Sequence, residues 1–418
     1  RAEKLVDELT TRYGSMNEII SRLNQWAVGS HKDEKGNKES ADFIETISKF
    51  QLNKLLDWWY KNYNKRRLYL LGLNNKEINN SKMSENDLYE SLTNNALGIS
   101  SLSIEKAIQI NSLFDKRVEN KDLLAARVNR FVNQNCTKGW MATPLSFVLN
   151  MFPEAKDYIG YIAKNYNLVF EEELVYTKNS FEIENFLTEK IKSLVVRNDD
   201  YLLRYSDLPR LVNQVQVDDD IVLTEEQQKA LEGSLSFNIS VITGGAGCGK
   251  TTLIKQLVKN LIYRKKNFLL TSFTGKAVLR IKETLRSEMG DSDVEKYCFT
   301  LSRLIYKKKN YQPVPKFQVL IVDEASMVSS ELIYNFMKFF KHSYSIILIG
   351  DCNQLPPIGL GAFFSEVITS GRVPIFRLTE NKRISSTKGG ISNILINANR
   401  LIDPERDLEE PFKFRTSL

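Results

Sequence analysis

The sequence predicts an α/β fold: a parallel sheet flanked by helices, preceded by a mainly helical region with a winged-helix-like element. Three observations carry that prediction. Beyond about residue 221, five short runs rich in β-branched residues ("FNISVIT", "NFLLTSF", "FQVLIVD", "YSIILIGD" and "VPIFRL") stand apart, with helical stretches between several of them. Upstream, apolar residues recur at helical spacing through "AEKLVDELTTRYGSMNEIISRLNQWA", "ADFIETISKFQLNKLLDWWYKNYNKRRLYLLGL" and a block over 87–135. Between the two regimes, "LVFEEELVYT" alternates as a short hairpin does.

The chain has 418 residues, enough for two or three domains, and its apolar share of 42% is adequate for packed cores. The expected boundaries are a helical amino-terminal region over 1–140, with a helix–hairpin–helix-like part near 87–135, then a small helical or winged-helix-like domain over 141–198. A connecting segment over 199–222 leads into the α/β domain over 223–418. Within the first region "GSHKDEKGNKES" and "NNKEINNSKMSEN" read as polar surface loops. "TPLSFVLNMF" and "PEAKDYIGYIAKNY" read as two helices closed by the hairpin, an outline that fits a winged helix and equally a helical hairpin with a β cap. Trp58 and Trp59, beside the basic "KNYNKRR", sit at helical spacing and read as core.

Composition removes several function classes. No apolar run approaches the roughly 18 residues of a membrane helix, and no signal peptide stands at the start. Cys136, Cys248, Cys298 and Cys352 form no CxxC pair, and His31 and His342 are the sole histidines, which argues against structural zinc. Absence of a disulfide framework leads us to expect a reducing, cytoplasmic compartment. The net charge of +7 fits a polyanionic partner without demanding one.

The chemistry begins at "VITGGAGCGKTTLI". Four glycines, an alanine and a cysteine fill 244–249 between a strand and an amphipathic helix, and Lys250, Thr251 and Thr252 follow. This is the GxxxxGK[ST] phosphate loop, or P-loop. Bare backbone at Gly245, Ala246, Gly247, Cys248 and Gly249 lets amides converge on phosphate oxygens, at a helix end that favours anions. Lys250 is suited to the β- and γ-phosphates and the Thr251 hydroxyl to Mg²⁺. Cys248 reads as a small space-filler. An apolar strand ending in Asp323–Glu324 supplies the partner carboxylates: Asp323 for the metal, Glu324 to orient or deprotonate the attacking water. Gln354, just beyond Gly350–Asp351, carries an amide able to sense a γ-phosphate, and Pro356 and Pro357 stiffen the turn after it.

In order, GGAGCGKTT, TSFTGKAVLR, VDEAS and GDCNQLPPIGLGAFF resemble the motifs of RecD-like superfamily 1 DNA helicases. The resemblance implies a RecA-like domain using ATP and Mg²⁺, and movement 5′ to 3′ on single-stranded DNA. It places Gln227, in "LTEEQQKAL", against the adenine, and Arg383, in "LTENKR", at the γ-phosphate. It assigns the DNA backbone to "TSFTGKAVLR", a loop with Thr274, Gly275, Lys276 and Arg280, and to Ser302 and Arg303 of "TLSRL". Upstream, "NALGISSLSIEKAIQINSLF" and "LLAARVNRFVNQNCTKGWMATPLSFVL" are similar to the helical amino-terminal region of these enzymes, including a stretch from Gly139–Trp140 to Pro144. Of the glycines of a helix–hairpin–helix, Gly98 is present and Ser100 replaces the second.

The family carries its motifs V and VI on a second RecA-like domain, and neither is found in these residues. The resemblance therefore implies nucleotide binding with slow hydrolysis by these residues alone, because an arginine finger is worth roughly 10³ to 10⁵ in rate. Two other functions fit the same residues. One is an ATP-gated binding module without unwinding, with the helical region docking partner proteins. The other is the helicase part of a relaxase-type conjugation protein, which calls for an upstream histidine cluster.

Overall fold

Helical periodicity in the first half becomes a helical array closed by a small sheet. The structure, a computed structural model, describes residues 62–196 and 222–380. The described residues divide into two compact units, one of residues 62–135 and 142–178, the other of residues 136–141, 179–196 and 222–380.

In the first unit, helices α1 (Tyr63–Leu70), α2 (Asn75–Asn80), α3 (Glu85–Asn95), α4 (Ile104–Ser112) and α5 (Asn120–Thr137) precede strand β1 (Ala142–Pro144). Then come α6 (Leu145–Met151), a 3₁₀ segment, α7 (Ile159–Asn165) and the hairpin β2 (Leu168–Glu171) and β3 (Leu174–Thr177). Leu68, Leu88, Leu92, Ile110, Val132, Val148 and Ile162 share one core. The antiparallel sheet runs β1-β3-β2. Helix, strand, two helices and a hairpin, in that order from α5, is the outline of a winged helix.

The polar stretch over 74–86, read as a loop, is partly helical. Asn74 accepts from the Glu77 amide at 2.9 Å, and the Glu77 carboxylate accepts from the Asn74 amide at 2.8 Å, a capping box that starts α2. The turn between α3 and α4 is held from within. Asn129 donates to the Gly98 carbonyl at 3.0 Å and Arg130 to the Leu102 carbonyl at 2.9 Å.

In the second unit, helix α8 (Lys178–Val195) runs ahead of α9 (Glu225–Ser236) and β4 (Ile239–Gly244). Helix α10 (Lys250–Tyr263) follows, and then three strand–helix steps: β5 (Phe268–Ser272) with α11 (Gly275–Met289) and α12 (Asp291–Tyr297), β6 (Cys298–Thr300) with α13 (Leu301–Lys309), and β7 (Val319–Asp323) with α14 (Ser330–Phe339). Strand β8 (Ser345–Gly350), α15 (Phe363–Thr369) and β9 (Ile375–Leu378) complete it. The six strands pair in the order β6-β5-β7-β8-β4-β9, every pair parallel.

All five predicted strands are present; β6, three residues long, is an addition. Both sheet faces are covered, as a parallel sheet requires. Val241, Leu320, Val322, Ile346 and Leu348 point into one core, and Ile242, Ile321, Ile347 and Ile349 into the other. Ile183, Leu187 and Leu194 of α8 lie in the first of these cores. A boundary at 198 therefore gives way to one at 178, because the apolar stripe of α8 belongs to the sheet. Arg383 and most of the expected connecting segment lie outside the described residues, as do Trp58, Trp59 and His31.

Residues 136–141 belong with this second unit, where Gly139 and Gly361 approach closely. The Gly361 amide donates to the Gly139 carbonyl at 3.0 Å. Gly361 has φ 75°, and a Cβ there would lie 2.4 Å from Ser330 Oγ and 2.7 Å from Met141 Sδ. Gly361→Ala is expected to lower stability by about 2–4 kcal/mol, from strain plus overpacking. Gly160→Ala, where a Cβ meets nothing within 4 Å, serves as control and should be neutral or slightly stabilising in thermal unfolding.

Candidate active site

Strands β7, β8 and β4 are neighbours, so the three loops that follow them stand side by side at the carboxyl edge of the sheet. In open α/β sheets, ligands bind at this edge. The phosphate loop joins β4 to α10. Gly247 (φ 91°) and Gly249 (φ 78°) are left-handed, and Gly249 caps the helix. A Cβ on Gly244 would lie 2.7 Å from the Leu378 carbonyl, and one on Gly249 would lie 2.2 Å from Gln227 Nε2. Glycine is thus required here by contacts already made, not only by an incoming phosphate.

Lys250 Nζ donates to the carbonyls of Gly244 and Gly245, the latter at 2.8 Å, which holds the ammonium over the loop. Thr251 is exposed on the first turn of α10, Thr252 half-buried beside it, and Ala246 exposed at the loop tip. Cys248 is buried in the core, and burial raises its thiol above the ordinary range, which fits an inert filler.

Gln227 has a different position from the one expected. Its side chain is 1% exposed, and Nε2 donates to the Cys248 carbonyl at 3.1 Å while Oε1 accepts from the Thr224 amide at 3.2 Å. It completes a capping box at the start of α9 and braces the phosphate loop from below. In this arrangement the Gln227 amide acts as a structural strut.

Asp323 ends β7, level with Ser272 at the end of β5. Its carboxyl is pushed up to about 6, chiefly by burial; the Glu324 amide hydrogen bond at 2.9 Å and the charges of Lys250 and Arg280 pull the other way. Glu324 is left-handed, with φ 52°, a conformation uncommon for a non-glycine residue. Its Oε2 accepts from Ser272 Oγ at 3.4 Å. The kink turns a strand into a short 3₁₀ segment, which delivers Ser326. Ser326 Oγ donates to Gln354 Oε1 at 2.9 Å, so the carboxylate loop and the Gln354 loop are directly connected. Gln354 itself is exposed, its turn fastened to the buried Asp351 by the Gln354 amide and the Asp351 carbonyl at 3.1 Å.

The predicted DNA-contacting residues fall on two neighbouring helix starts. Strands β5 and β6 pair in register, Ser272 opposite Thr300, and lead into α11 and α13. Thr274 caps α11 by accepting from the Ala277 amide at 3.2 Å, and Thr300 caps α13 by accepting from the Arg303 amide at 3.1 Å. Gly275, Lys276, Arg280, Ser302 and Arg303 are exposed. The segment read as a loop is therefore a helix from Gly275 onward. Its start was legible as a threonine preceding an apolar periodic run.

Sequence reasoning missed three positioning residues: Ser272 on Glu324, Ser326 on Gln354, and Glu226. The Glu226 carboxylate accepts from the amides of Thr379 at 2.7 Å and Glu380 at 3.2 Å, tying α9 to the end of β9. Bonds from Thr379 hold its carboxyl below the usual range.

The Asp323 shift has a sign that can be tested. With the folded value above the ordinary carboxylate value, the metal-free chain loses stability as pH rises through about 6. Asp323→Asn should therefore raise the stability of the metal-free chain at pH 7.5, by about 1–2 kcal/mol, with the advantage shrinking as pH falls below about 6 and vanishing only below the ordinary carboxylate value of about 4. The same variant should lose Mg²⁺-dependent nucleotide binding.

The family described as an AAA domain matches residues 227–360. The RecBCD enzyme subunit RecD of Mycobacterium tuberculosis is 29% identical over 200 residues, covering 43% of this chain and 35% of that protein. RecD of Buchnera aphidicola subsp. Schizaphis graminum is 26% identical over 282 residues, 63% of this chain and 42% of that one. The ATP-dependent RecD2 DNA helicase of Deinococcus radiodurans is 29% identical over 145 residues, 33% of this chain and 19% of that one. The chain spans well under half the length of these relatives. With its parallel sheet and its phosphate loop, the second unit resembles the RecD-like helicases of superfamily 1 over the residues these relatives share with it.

Proposed function

We propose that the second unit is the first ATP-binding domain of a DNA helicase that moves 5′ to 3′ along single-stranded DNA. The observation that carries this reading is the convergence of the phosphate loop, Asp323–Glu324 and Gln354 at one sheet edge, with Gln354 hydrogen-bonded to Ser326.

The donor set suits an Mg²⁺ ion bound with a nucleoside triphosphate. The exposed Thr251 hydroxyl is a neutral oxygen ligand, and a nearby divalent charge would favour the ionised form that burial of Asp323 opposes. These two residues would hold the ion, which would supply charge neutralisation at the phosphates. Amides of residues 245–249 and the Lys250 ammonium take the phosphate oxygens. Glu324, oriented by its left-handed backbone and by Ser272, positions the attacking water and accepts its proton. Gln354 registers the γ-phosphate by exchanging its bond with Ser326 for one to the phosphate side. Arg383 is assigned to the γ-phosphate on the same reading. Lys276, Arg280, Ser302 and Arg303, with Thr274 and Gly275, carry the DNA backbone in a sequence-tolerant, salt-sensitive manner. We assign the helical first unit to partner proteins, and the whole to the cytoplasm.

Titration with a fluorescent ATP analogue and a labelled single strand tests this. Lys250→Ala should weaken Mg²⁺-dependent nucleotide binding by at least tenfold while leaving the fold intact by circular dichroism. Lys276→Ala and Arg303→Ala should weaken DNA binding and each reduce its salt slope by about one. Nucleotide binding without any DNA affinity would favour an ATP-gated module instead.

A further inference from the structure

Helix α13 begins at the candidate DNA edge with Ser302 and Arg303 and buries Leu301, Leu304 and Ile305 in the core. Its other face carries Tyr306, one turn beyond Ser302 and Arg303 and 55% exposed. Lys307, Lys308 and Lys309 close the helix. Then comes Tyr311, 98% exposed and left-handed at φ 53°. Its amide reaches the Lys308 carbonyl at 3.3 Å, and the Gln312 amide reaches the Lys307 carbonyl at 2.8 Å, the paired bonds of a helix end where glycine is the favoured residue.

Left-handed backbone alone marks nothing here, since Lys265 occupies the same position after α10. What sets Tyr311 apart is an aromatic ring that gains no burial from a strained site. Stability would favour glycine or a polar residue there. The lysines are in place around it. Lys307 Nζ lies 5.1 Å from the Phe299 ring centre, Lys308 5.8 Å from that of Phe340 and Lys309 5.6 Å from that of Phe339, contacts that position the charges without neutralising them.

We propose that the exposed face of α13 and the turn after it extend the single-stranded DNA site, with Tyr306 and Tyr311 as base-stacking platforms and Lys307, Lys308 and Lys309 along the backbone. The inference rests on the DNA reading of Ser302 and Arg303 given above. A polyanion is the occupant because the end of the helix and the turn after it combine exposed rings with a run of cations spread around the last turn, and no carboxylate lies between Ser302 and Lys316. From Arg303 to Tyr311 the backbone covers about 12 Å, room for three or four stacked nucleotides at ~3.4 Å each.

The test uses the whole chain and fluorescein-labelled oligothymidylates of about six and about twenty nucleotides, with anisotropy as readout. Tyr306→Ala and Tyr311→Gly should each weaken binding of the longer strand roughly five- to fiftyfold and leave the shorter one little changed. Tyr306→Phe and Tyr311→Phe should retain binding, because the ring does the stacking. Tyr311→Gly should also raise the thermal midpoint by relieving the left-handed strain, so lost binding cannot be put down to misfolding. If Lys276→Ala and Arg303→Ala weaken both lengths but the tyrosine variants bind the longer strand like the parent, this inference falls and the DNA reading stands. If none of the four changes binding of either length, the DNA reading falls with it.

Discussion

Bare backbone at two points, Gly244 and Gly249, is the constraint on which the second unit depends. At the first, the Leu378 carbonyl comes within a distance no Cβ tolerates; at the second, the Gln227 amide does. The glycines of the phosphate loop thus serve the protein before they serve a phosphate. They let β9 close on one side of β4, and they let a buried amide from α9 reach the loop carbonyl at Cys248. Sheet edge, loop and preceding helix form one object, so the loop is shaped in advance. Preorganisation of that kind is where phosphoryl-transfer proteins place most of their effort.

A second economy lies in strand order. Since β8 sits between β4 and β7, its loop must pass between phosphate loop and carboxylates. The left-handed Glu324 then turns the chain so sharply that Ser326 meets Gln354 within hydrogen-bond distance. The residues proposed for chemistry and for sensing are therefore linked through one hydroxyl, that of Ser326. A strained residue in such a place is consistent with function, because nothing in the packing of β7 asks for it.

The sheet was legible because its strands are buried on both faces and so read as unbroken β-branched runs. Strand β6 escaped, since Cys298–Thr300 is too short to show a pattern and exists through its pairing with β5. The phosphate loop and Asp323–Glu324 were legible because their chemistry needs fixed residue types at fixed spacing. The role of Gln227 was not, because its two partners are Thr224, close in sequence, and Cys248, which only the fold brings near. The boundary near 198 failed for a related reason: the apolar stripe of α8 was visible, but which core receives it is a property of the tertiary structure. By contrast, the capping box at Asn74 and Glu77 was written in plain sequence and hidden by the polar character around it.

The short excursion of residues 136–141 has a practical meaning for anyone dividing this chain. The backbone leaves the first unit, offers the Gly139 carbonyl to Gly361, and returns to start β1. Gly361 lies in the same loop as Gln354, a few residues downstream. A protein cut at Asn179 to isolate the second unit would lack that acceptor and the Met141 side chain beside it, leaving the far end of the loop to the bonds that the Ser330 and Glu331 amides donate to the Gly361 and Leu360 carbonyls. The two units are not separated by a single cut. A faithful version of the second unit needs the hexapeptide supplied as well, by retaining the upstream chain or grafting the segment back.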